Sequence, residues 1–327
     1  MTSRVTGQYE VVAGWPNPEA HRSWREVTAV AVDSFNRIHV LARDPNRMLV
    51  FDEAGKLLHE WGEGLFVRPH GLTIGPDDRV YCADDLDHTV KVFTLEGKPL
   101  FTLGTSGKPA ETGATSIDYR TIQRSAGPFH FPTNVAIAAD GSIFVTDGYG
   151  NARVHRFTAD GKLLQSWGKP GGGPGEFHVP HGIAIDREGI IYVADRENSR
   201  IQMFTQGGEF VGEMTEIARP CQVTFDAAGN LLVAELGYIA GMWPGTTAPS
   251  PDATGGRVSV FSPKRELLAQ FGGGANPTAA GDFFAPHDIR CDLAGNVYVA
   301  EVVYSAGGRK GMVPHDCHAL QKFRLVK

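Results

Sequence analysis

The chain has 327 residues and a formal net charge of −6, with 42 % apolar and 21 % charged residues, 40 glycines and 20 prolines. This composition is typical of a folded chain rich in turns, and the mixing of acidic with basic residues excludes the basic stripe by which proteins bind nucleic acid. No segment reaches the roughly 20 consecutive apolar residues of a membrane span, and the first residues, MTSRVTGQYEVV, lack the apolar core of a signal peptide.

The four cysteines are widely spaced, at Cys82, Cys221, Cys291 and Cys317. A chain of this length can bury a core without disulfide bonds, so we expect these thiols to be reduced. The sequence therefore predicts a cytoplasmic protein with neither nucleic-acid nor membrane partners, and it leaves the oligomeric state open.

A segment that recurs along the chain begins with proline and a short apolar run, passes a D-x-x-G-like turn, and continues into a second apolar run that ends in an acidic residue. Alternating apolar residues, β-branched residues and turn glycines predict strands throughout, with no helix needed. A period of roughly 40 residues is typical of β-propellers. Five copies begin at Pro69, Pro132, Pro180, Pro220 and Pro286, and a degenerate copy begins at Val27.

Fourth strands follow five of the six copies, as KLLHEWG, KPLFTLG, KLLQSWG, EFVGEMT and ELLAQFG. The segment QYEVVAGW near Gln8 has the same pattern, so we expect the N-terminal strand to complete the last blade and close the ring. The prediction is a single all-β domain over residues 1–327, a six-bladed β-propeller of NHL repeats. Two β-sandwiches are the alternative, but sandwiches do not repeat a register so regularly.

One repeat position, directly after the leading proline, holds histidine in alternate blades. In blades one to six it is occupied by Thr28, His70, Thr133, His181, Cys221 and His287. Alternate blades of a six-fold ring lie about 120° apart, so the three imidazoles are predicted to converge on the channel axis. Three imidazoles suit zinc and leave coordination positions open, as catalytic sites do. The alternative is a metal-free polar ring in which Pro-His is only a turn preference; Cys221 is a weaker candidate ligand.

The end of the second strand returns to the same face, since that strand runs antiparallel to the first. Its last residue is acidic in blades two to six, whereas blade one carries Arg43. A guanidinium there can bind a substrate carboxylate or form a salt bridge with neighbouring carboxylates. The acidic residues are Asp84, Asp147, Asp195, Glu235 and Glu301.

Two further residues follow these strand ends, Tyr149 in DGYGNAR and Arg196 in DRENSR. A nearby cation stabilises a phenolate, so Tyr149 is the predicted catalytic base; the alternative is a packed loop tyrosine. The same face carries three insertions, residues 108–128, 237–256 and 303–317, which are long enough to act as lids or binding loops. The last insertion and the residue that follows it contain Tyr304, Arg309, Lys310, His315, Cys317 and His318, which contact substrate or are solvated.

The segments VRPHGLTI, VTDGYGNARV, FHVPHGIAI, YVADRENSRIQMF and APHDI resemble, in order and spacing, the peptidyl-α-hydroxyglycine α-amidating lyases. The resemblance implies a zinc ion bound by His70, His181 and His287, a catalytic base at Tyr149, and substrate-holding arginines at Arg43 and Arg196. It also implies a structural calcium ion bound by Asp288 and by the backbone carbonyls of Val30 and Leu72. The residue after the ligand position is acidic only in blade six, where it is Asp288, which is consistent with a hard cation there.

Two positions depart from the vertebrate members of that family. Ala285 stands where they have methionine, and Gly150 follows Tyr149 where they have a disulfide near the site. The implied reaction is cleavage of an N-acyl-α-hydroxyglycine into an amide and glyoxylate, with a small-molecule or peptide-derived substrate. A zinc-dependent hydrolase or lactonase on the same site, and a non-catalytic NHL scaffold, are the alternatives.

Overall fold

Repeated turns of the D-x-x-G type join strands into antiparallel sheets in the computed structural model, which describes residues 9–17, 24–238 and 255–326. In one such turn, Oδ1 of Asp226 accepts the backbone N–H groups of Ala228 and Asn230, both at 2.8 Å. Gly229 has a φ of 83°, in the left-handed region that favours glycine. The aspartate thus accepts hydrogen bonds from the backbone N–H groups of the turn, and the glycine adopts the left-handed conformation that the turn requires.

Six four-stranded sheets result, and we call each one a blade. Blades 1 to 3 contain β2–β5, β6–β9 and β10–β13; blades 4 and 5 contain β16–β19 and β20–β23; blade 6 has the order β1-β26-β25-β24. The strand bounds are β1 Tyr9–Val11, β2 Glu26–Val32, β3 Ile38–Arg43, β4 Arg47–Phe51, β5 Leu57–Trp61, β6 Pro69–Ile74, β7 Val80–Asp84, β8 Thr89–Phe93, β9 Pro99–Gly104, β10 Pro132–Ile137, β11 Ile143–Asp147, β12 Arg153–Phe157, β13 Leu163–Trp167, β14 Lys169–Pro170, β15 Glu176–Phe177, β16 Pro180–Ile185, β17 Ile191–Asp195, β18 Arg200–Phe204, β19 Phe210–Met214, β20 Pro220–Phe225, β21 Leu231–Glu235, β22 Arg257–Phe261, β23 Leu267–Gly272, β24 Pro286–Cys291, β25 Val297–Glu301 and β26 Leu320–Leu325.

Blade 6 combines strands from distant parts of the chain. Tyr9 of β1 pairs with Leu325 of β26, and Val11 pairs with Phe323, in antiparallel register. The predicted completion of the last blade by the N-terminal strand is confirmed for these residues, whereas Gln8 lies outside the described residues.

The contacts within the chain divide it into two compact units, residues 61–220 and residues 1–60 with 221–327. Blades 2, 3 and 4 lie in the first unit, whose cores include the buried rings of Phe129, Phe157 and Phe204. Blades 1, 5 and 6 lie in the second unit, where Phe51 and Phe283 are buried. The prediction of a single domain over residues 1–327 stays a prediction.

The all-β prediction is confirmed, and short helical turns occur only in the described connections between strands. A four-residue α-helix, α1, spans Val303–Ala306, and 3-10 turns span Tyr119–Thr121, Arg196–Asn198 and Gly308–Lys310. These turns occur where the chain between strands is too long or too sharply bent for a hairpin, and local i→i+4 bonds such as Ala306 N–H to Val302 C=O satisfy the backbone. No helix of the described residues has the length and apolar composition to cross a membrane.

Candidate metal centre

A β-bulge at the start of the innermost strand positions each predicted ligand. In blade 4, Pro180 pairs with Asp195 and Gly182 pairs with Ala194, so His181 is the extra residue between two ladder positions. The same register shift occurs at Thr133 in blade 3 and at His287 in blade 6. A bulge re-aims a side chain away from the regular alternation of the strand, and bulges are frequent beside active sites. The ligand position is therefore set by a backbone irregularity that recurs in the repeat.

His70 has a defined tautomer. Its Nδ1 lies 2.8 Å from the backbone carbonyl oxygen of Thr133, which can only accept a hydrogen bond. Nδ1 must therefore carry the proton, and in the neutral ring the lone pair is on Nε2. The ring of His181 is close by, with a centroid separation of 4.9 Å.

Tyr149 lies between these two histidines. Its hydroxyl oxygen is 3.2 Å from Nε2 of His70 and 3.1 Å from Nε2 of His181. The residue is 7 % exposed, and its backbone N–H donates to the carbonyl of Phe131 at 3.4 Å. Gly148 precedes it because a Cβ there would stand 2.2 Å from the carbonyl oxygen of Pro180. The phenol oxygen is thus directed at the two nitrogens that are predicted to bind metal.

Arg196 contacts the same hydroxyl from the 3-10 turn after β17. Its NH1 donates to the Tyr149 oxygen at 3.1 Å, and its guanidinium carbon lies 5.3 Å from the centre of the Tyr149 ring. The backbone N–H of Arg196 is held by the carbonyl of Val179 at 3.1 Å. Arg196 is 2 % exposed, so a cation, a phenol and two imidazoles meet in a nearly dry environment.

His287 is buried in the second unit and also donates from Nδ1. The acceptor is the carbonyl oxygen of Thr28 at 2.6 Å, so its Nε2 carries the lone pair in the neutral ring. Thr28 occupies the equivalent repeat position of blade 1, where its hydroxyl bonds to the carbonyl of Leu41 instead of serving a ligand role. Cys221, the weaker candidate, is fully buried in an apolar cluster and fits the role of a wall residue.

His70, His181 and His287 are all buried, and one ligand nitrogen of each lies within 4.8 Å of the other two. These three residues can therefore hold a metal ion. In His70 and His287, a backbone carbonyl holds the proton on Nδ1 and so leaves the lone pair on Nε2. Histidines that bind a metal through Nε2 have this tautomer. The donor set fits zinc or a similar borderline ion.

The residues implied for a calcium site fall in both units. Asp288 is buried beside Val30 in the second unit, and burial raises its pKa to about 7 although Arg290 and nearby backbone N–H groups oppose the shift. Its Oδ1 accepts the Ile289 N–H at 2.7 Å, whereas Oδ2 finds no hydrogen-bond donor among the described residues. Leu72 is buried in the first unit. A buried carboxylate oxygen of this kind fits a hard cation.

Arg43 forms the salt bridge that was one of the two predicted roles. Its NH1 lies 3.0 Å from Oε1 of Glu26, and the other oxygen of Glu26 accepts the Ser305 N–H at 2.7 Å. The carboxylate thus joins the end of β3 to helix α1. The predicted contact of Arg43 with substrate stays a prediction.

Four acidic residues at the other strand ends, Asp84, Asp147, Asp195 and Glu301, fasten the loops before the leading prolines. Asp84 accepts the N–H groups of Val67 and Arg68, both at 2.8 Å, and Asp195 accepts that of His178 at 2.8 Å. Asp147 and Glu301 do the same for His130 and for Phe284. Their repetition along the chain has a structural cause, because each carboxylate satisfies buried backbone donors.

The insertions differ in what they contact. Tyr119 of the insertion 108–128 packs on the ring of His178 at 5.0 Å, and the carbonyl of His178 accepts the backbone N–H of Glu197 at 3.0 Å. In the insertion 303–317, Tyr304 packs on His315 at 5.5 Å, and His318 beyond it contacts Glu301 at 3.3 Å. Most of the insertion 237–256, residues 239–254, lies outside the described residues.

Sequence reasoning missed Glu197 and Arg219. Glu197 contacts both Arg196 and Arg219 at 2.8 Å. Burial alone would raise the pKa of Glu197, but the positive charges of the two arginines outweigh it and lower the pKa. The sequence offered little signal, because arginine directly precedes the leading proline in blade 2 as well, as Arg68 before Pro69.

Comparison with known proteins identifies the fold and the relatives. A family described as 6-bladed β-propeller matches residues 129–231. The chain is a six-bladed β-propeller. It is 34 % identical over 156 residues to peptidyl-alpha-hydroxyglycine alpha-amidating lyase 1 of Drosophila melanogaster, which covers 46 % of this chain and 26 % of that protein. It is 31 % identical over 278 residues to the peptidyl-glycine alpha-amidating monooxygenase of Mus musculus, covering 80 % of this chain and 24 % of that protein. The resemblance to the amidating lyases is thereby confirmed, although the chain spans only about a quarter of the length of these two relatives.

Other similarities are broader in coverage. NHL repeat-containing protein 3 of Homo sapiens is 29 % identical over 315 residues, covering 90 % of this chain and 81 % of that protein. Among solved structures, a streptogramin B lyase superposes with a TM-score of 0.61 at 14 % identity, covering 99 % of this chain and all of that one. A gluconolactonase of Xanthomonas campestris gives 0.60 at 14 % identity, covering 92 % and 86 %. At such identities these two structures show the fold alone.

Proposed function

We propose that the chain is a metal-dependent lyase that cleaves an N-acyl-α-hydroxyglycine into an amide and glyoxylate. The contact between the Tyr149 hydroxyl and the Nε2 atoms of His70 and His181 carries the proposal, because it places a proton acceptor beside the predicted ligands. The sequence similarity to proteins named amidating lyases supports the same reaction class.

The residues of the chain would divide the chemistry among them. A zinc ion held by His70, His181 and His287 would supply Lewis acidity toward the substrate hydroxyl. Tyr149 would accept the hydroxyl proton while the C–N bond breaks and the aldehyde carbonyl of glyoxylate forms. Tyr149 would act as the phenolate, and the amide nitrogen would take up the proton from it as it leaves, so the phenolate is regenerated.

Arg196 would hold the substrate carboxylate during this step. Its guanidinium already donates to the Tyr149 oxygen, so a carboxylate bound to it lies near the base. Arg43 is the second proposed carboxylate ligand, and its pairing with Glu26 would orient it. The orphaned Asp288 Oδ2 would take part in the proposed structural calcium site with the carbonyls of Val30 and Leu72.

The assay would measure glyoxylate and benzamide released from N-benzoyl-α-hydroxyglycine by protein purified without chelator. We expect Tyr149→Phe to keep its zinc and lose activity by at least about 100-fold, as for removal of a general base. Undiminished release would remove Tyr149 from this role. Lactone and ester substrates run in parallel test the hydrolase alternative, which the same three imidazoles would serve through an activated water.

A non-catalytic NHL scaffold is the remaining alternative. Protein without stoichiometric metal, in which His181→Ala changes only stability, would favour that scaffold role. A cytoplasmic location is part of the proposal, and the partners we propose are limited to the substrate and the metal ions.

A further inference from the structure

Glu197 bridges two arginines beside the proposed substrate site. Its Oε1 accepts Nε of Arg196 and NH2 of Arg219, each at 2.8 Å. Its Oε2 accepts Nε of Arg219 at 3.2 Å. Together with the Arg196–Tyr149 contact, these bonds form a continuous chain from Arg219 to the phenol oxygen.

All members of this chain are held rigidly. The side chains of Arg196, Glu197 and Arg219 are 3 %, 7 % and 2 % exposed. The backbone N–H of Glu197 donates to the carbonyl of His178 at 3.0 Å. Arg219 has a φ of 54°, an unfavourable left-handed conformation for an arginine, and it precedes Pro220. Phe131 and Val179, which precede the leading prolines of blades 3 and 4, have the same conformation at φ 60° and 61°, so the repeat itself fixes the backbone at this position.

The contact of Glu197 with Arg196 affects the positive charge that Arg196 can offer to a substrate, and Arg219 alters this effect. A carboxylate 2.8 Å away in a buried environment would neutralise most of the Arg196 charge, because charge interactions are strong where water is excluded. A neutralised guanidinium attracts a substrate carboxylate weakly. A second arginine on the same carboxylate shares the negative charge of Glu197 and restores the positive field at Arg196.

We infer that Arg219 is a positioning residue for substrate binding: acting through Glu197, it keeps Arg196 oriented toward Tyr149 and keeps its positive charge available to the substrate carboxylate. This inference rests on the proposed function, since it assigns the carboxylate to Arg196. It extends that proposal by a residue that touches neither the predicted metal ligands nor the base in the contacts described above.

Steady-state kinetics with N-benzoyl-α-hydroxyglycine test the inference. We expect Arg219→Gln to raise KM about tenfold while kcat changes less than about threefold, an effect typical of altering one charge pair. Arg219→Lys keeps the charge and should return KM to within about threefold of the wild type. Arg156→Gln is the matched control, because Arg156 also binds a carboxylate and a carbonyl, those of Asp140 and Gln206, and should leave KM unchanged.

The double variant Glu197→Gln/Arg219→Gln separates charge balance from simple structural support. A glutamine at position 197 can still accept from Arg196 but carries no charge, so KM should recover toward the wild-type value. A purely structural role for Arg219 predicts that the double variant is at least as defective as the single one. The double variant also keeps the test informative if the Arg219→Gln protein does not fold. In the double variant no buried carboxylate is left without its second arginine.

Binding of N-benzoylglycine, which has the carboxylate but no hydroxyl to react, separates this inference from the reaction. By calorimetry we expect Arg219→Gln to weaken its binding about tenfold and to leave N-benzoylglycinamide, which lacks the carboxylate, unaffected. Wild-type protein that binds N-benzoylglycine but releases no glyoxylate would refute the proposed reaction alone. Equal binding of N-benzoylglycine by the wild type and Arg219→Gln, or no binding by either, would overturn the role of Arg219.

Discussion

The carbonyl oxygen of Thr133 accepts a hydrogen bond from Nδ1 of His70 at 2.8 Å. Thr133 occupies in blade 3 the repeat position that His70 occupies in blade 2. A blade without a ligand therefore orients the ligand of its neighbour, and blade 1 does the same for His287 through Thr28. The acceptor in both contacts is a backbone carbonyl, so these blades orient the neighbouring histidine through their backbone and not through the threonine side chain.

The same carbonyl makes Gly71 essential. A Cβ at position 71 would stand 2.3 Å from the Thr133 oxygen, closer than side-chain carbons approach backbone atoms. We expect Gly71→Ala to destabilise the fold by about 1–3 kcal/mol and to displace His70, which lowers metal content. Denaturant unfolding and metal analysis measure both effects. Gly127→Ala, where a Cβ meets open space, is the control, and equal behaviour of the two variants would refute the clash.

Metal content tests the histidine triad directly. We expect about one zinc ion or similar ion per chain in the wild type and less than about a tenth of that in His181→Ala, because two imidazoles hold zinc much more weakly than three. His315→Ala removes a histidine that packs on Tyr304 and should keep the full metal content. A His181→Ala protein that retains its metal would show that the ion is bound elsewhere.

A substitution at Asp288 tests the proposed calcium site independently of the proposed zinc site. We expect added calcium to raise the thermal unfolding temperature of the wild type and to leave that of Asp288→Asn unchanged, since the variant loses the charged oxygen donor. Zinc content should be similar in both proteins. A calcium response that survives the substitution would remove Asp288 from the site.

Stability should depend on pH through Asp33 of blade 1. Burial alone would raise the pKa of Asp33, but hydrogen bonds from His39 and Arg37 outweigh it and lower the pKa to about 2. A carboxyl whose folded pKa lies below its unfolded value of 3.8 stabilises the fold above that value, and this contribution is lost as the pH falls toward 2.

We therefore expect Asp33→Asn to lower the free energy of unfolding by about 2 kcal/mol at neutral pH and by much less near pH 2. Denaturant unfolding across that range measures the difference. A difference that does not change with pH would mean that the hydrogen bonds, and not the charge, stabilise the turn. Asp77→Asn, which alters a half-exposed aspartate paired with Arg79, is the control and should change little.

The repeat made the strands, the number of blades and the ligand position predictable, because alternation and turn residues are local signals. It could not predict the bulge at His181, since an extra residue in a strand becomes visible only when the pairing partner is known. It also could not predict the contact of Arg196 with Tyr149, which depends on a 3-10 turn of three residues. The hydrogen bond from the His178 N–H to Asp195 could not be predicted either, because its donor is a backbone group that the sequence pattern does not mark.

The pairing of Tyr9–Val11 with Phe323–Leu325 affects the order in which the protein can fold. More than 300 residues separate the paired segments, so β26 lacks a neighbour on its outer side until residues 320–325 have been synthesised and β1 has returned. Contacts between such distant segments close slowly because a long loop must lose its entropy first. We expect the sheet that carries His287 to be the last of the six to form, so metal capture by the three histidines follows the pairing of β1 with β26.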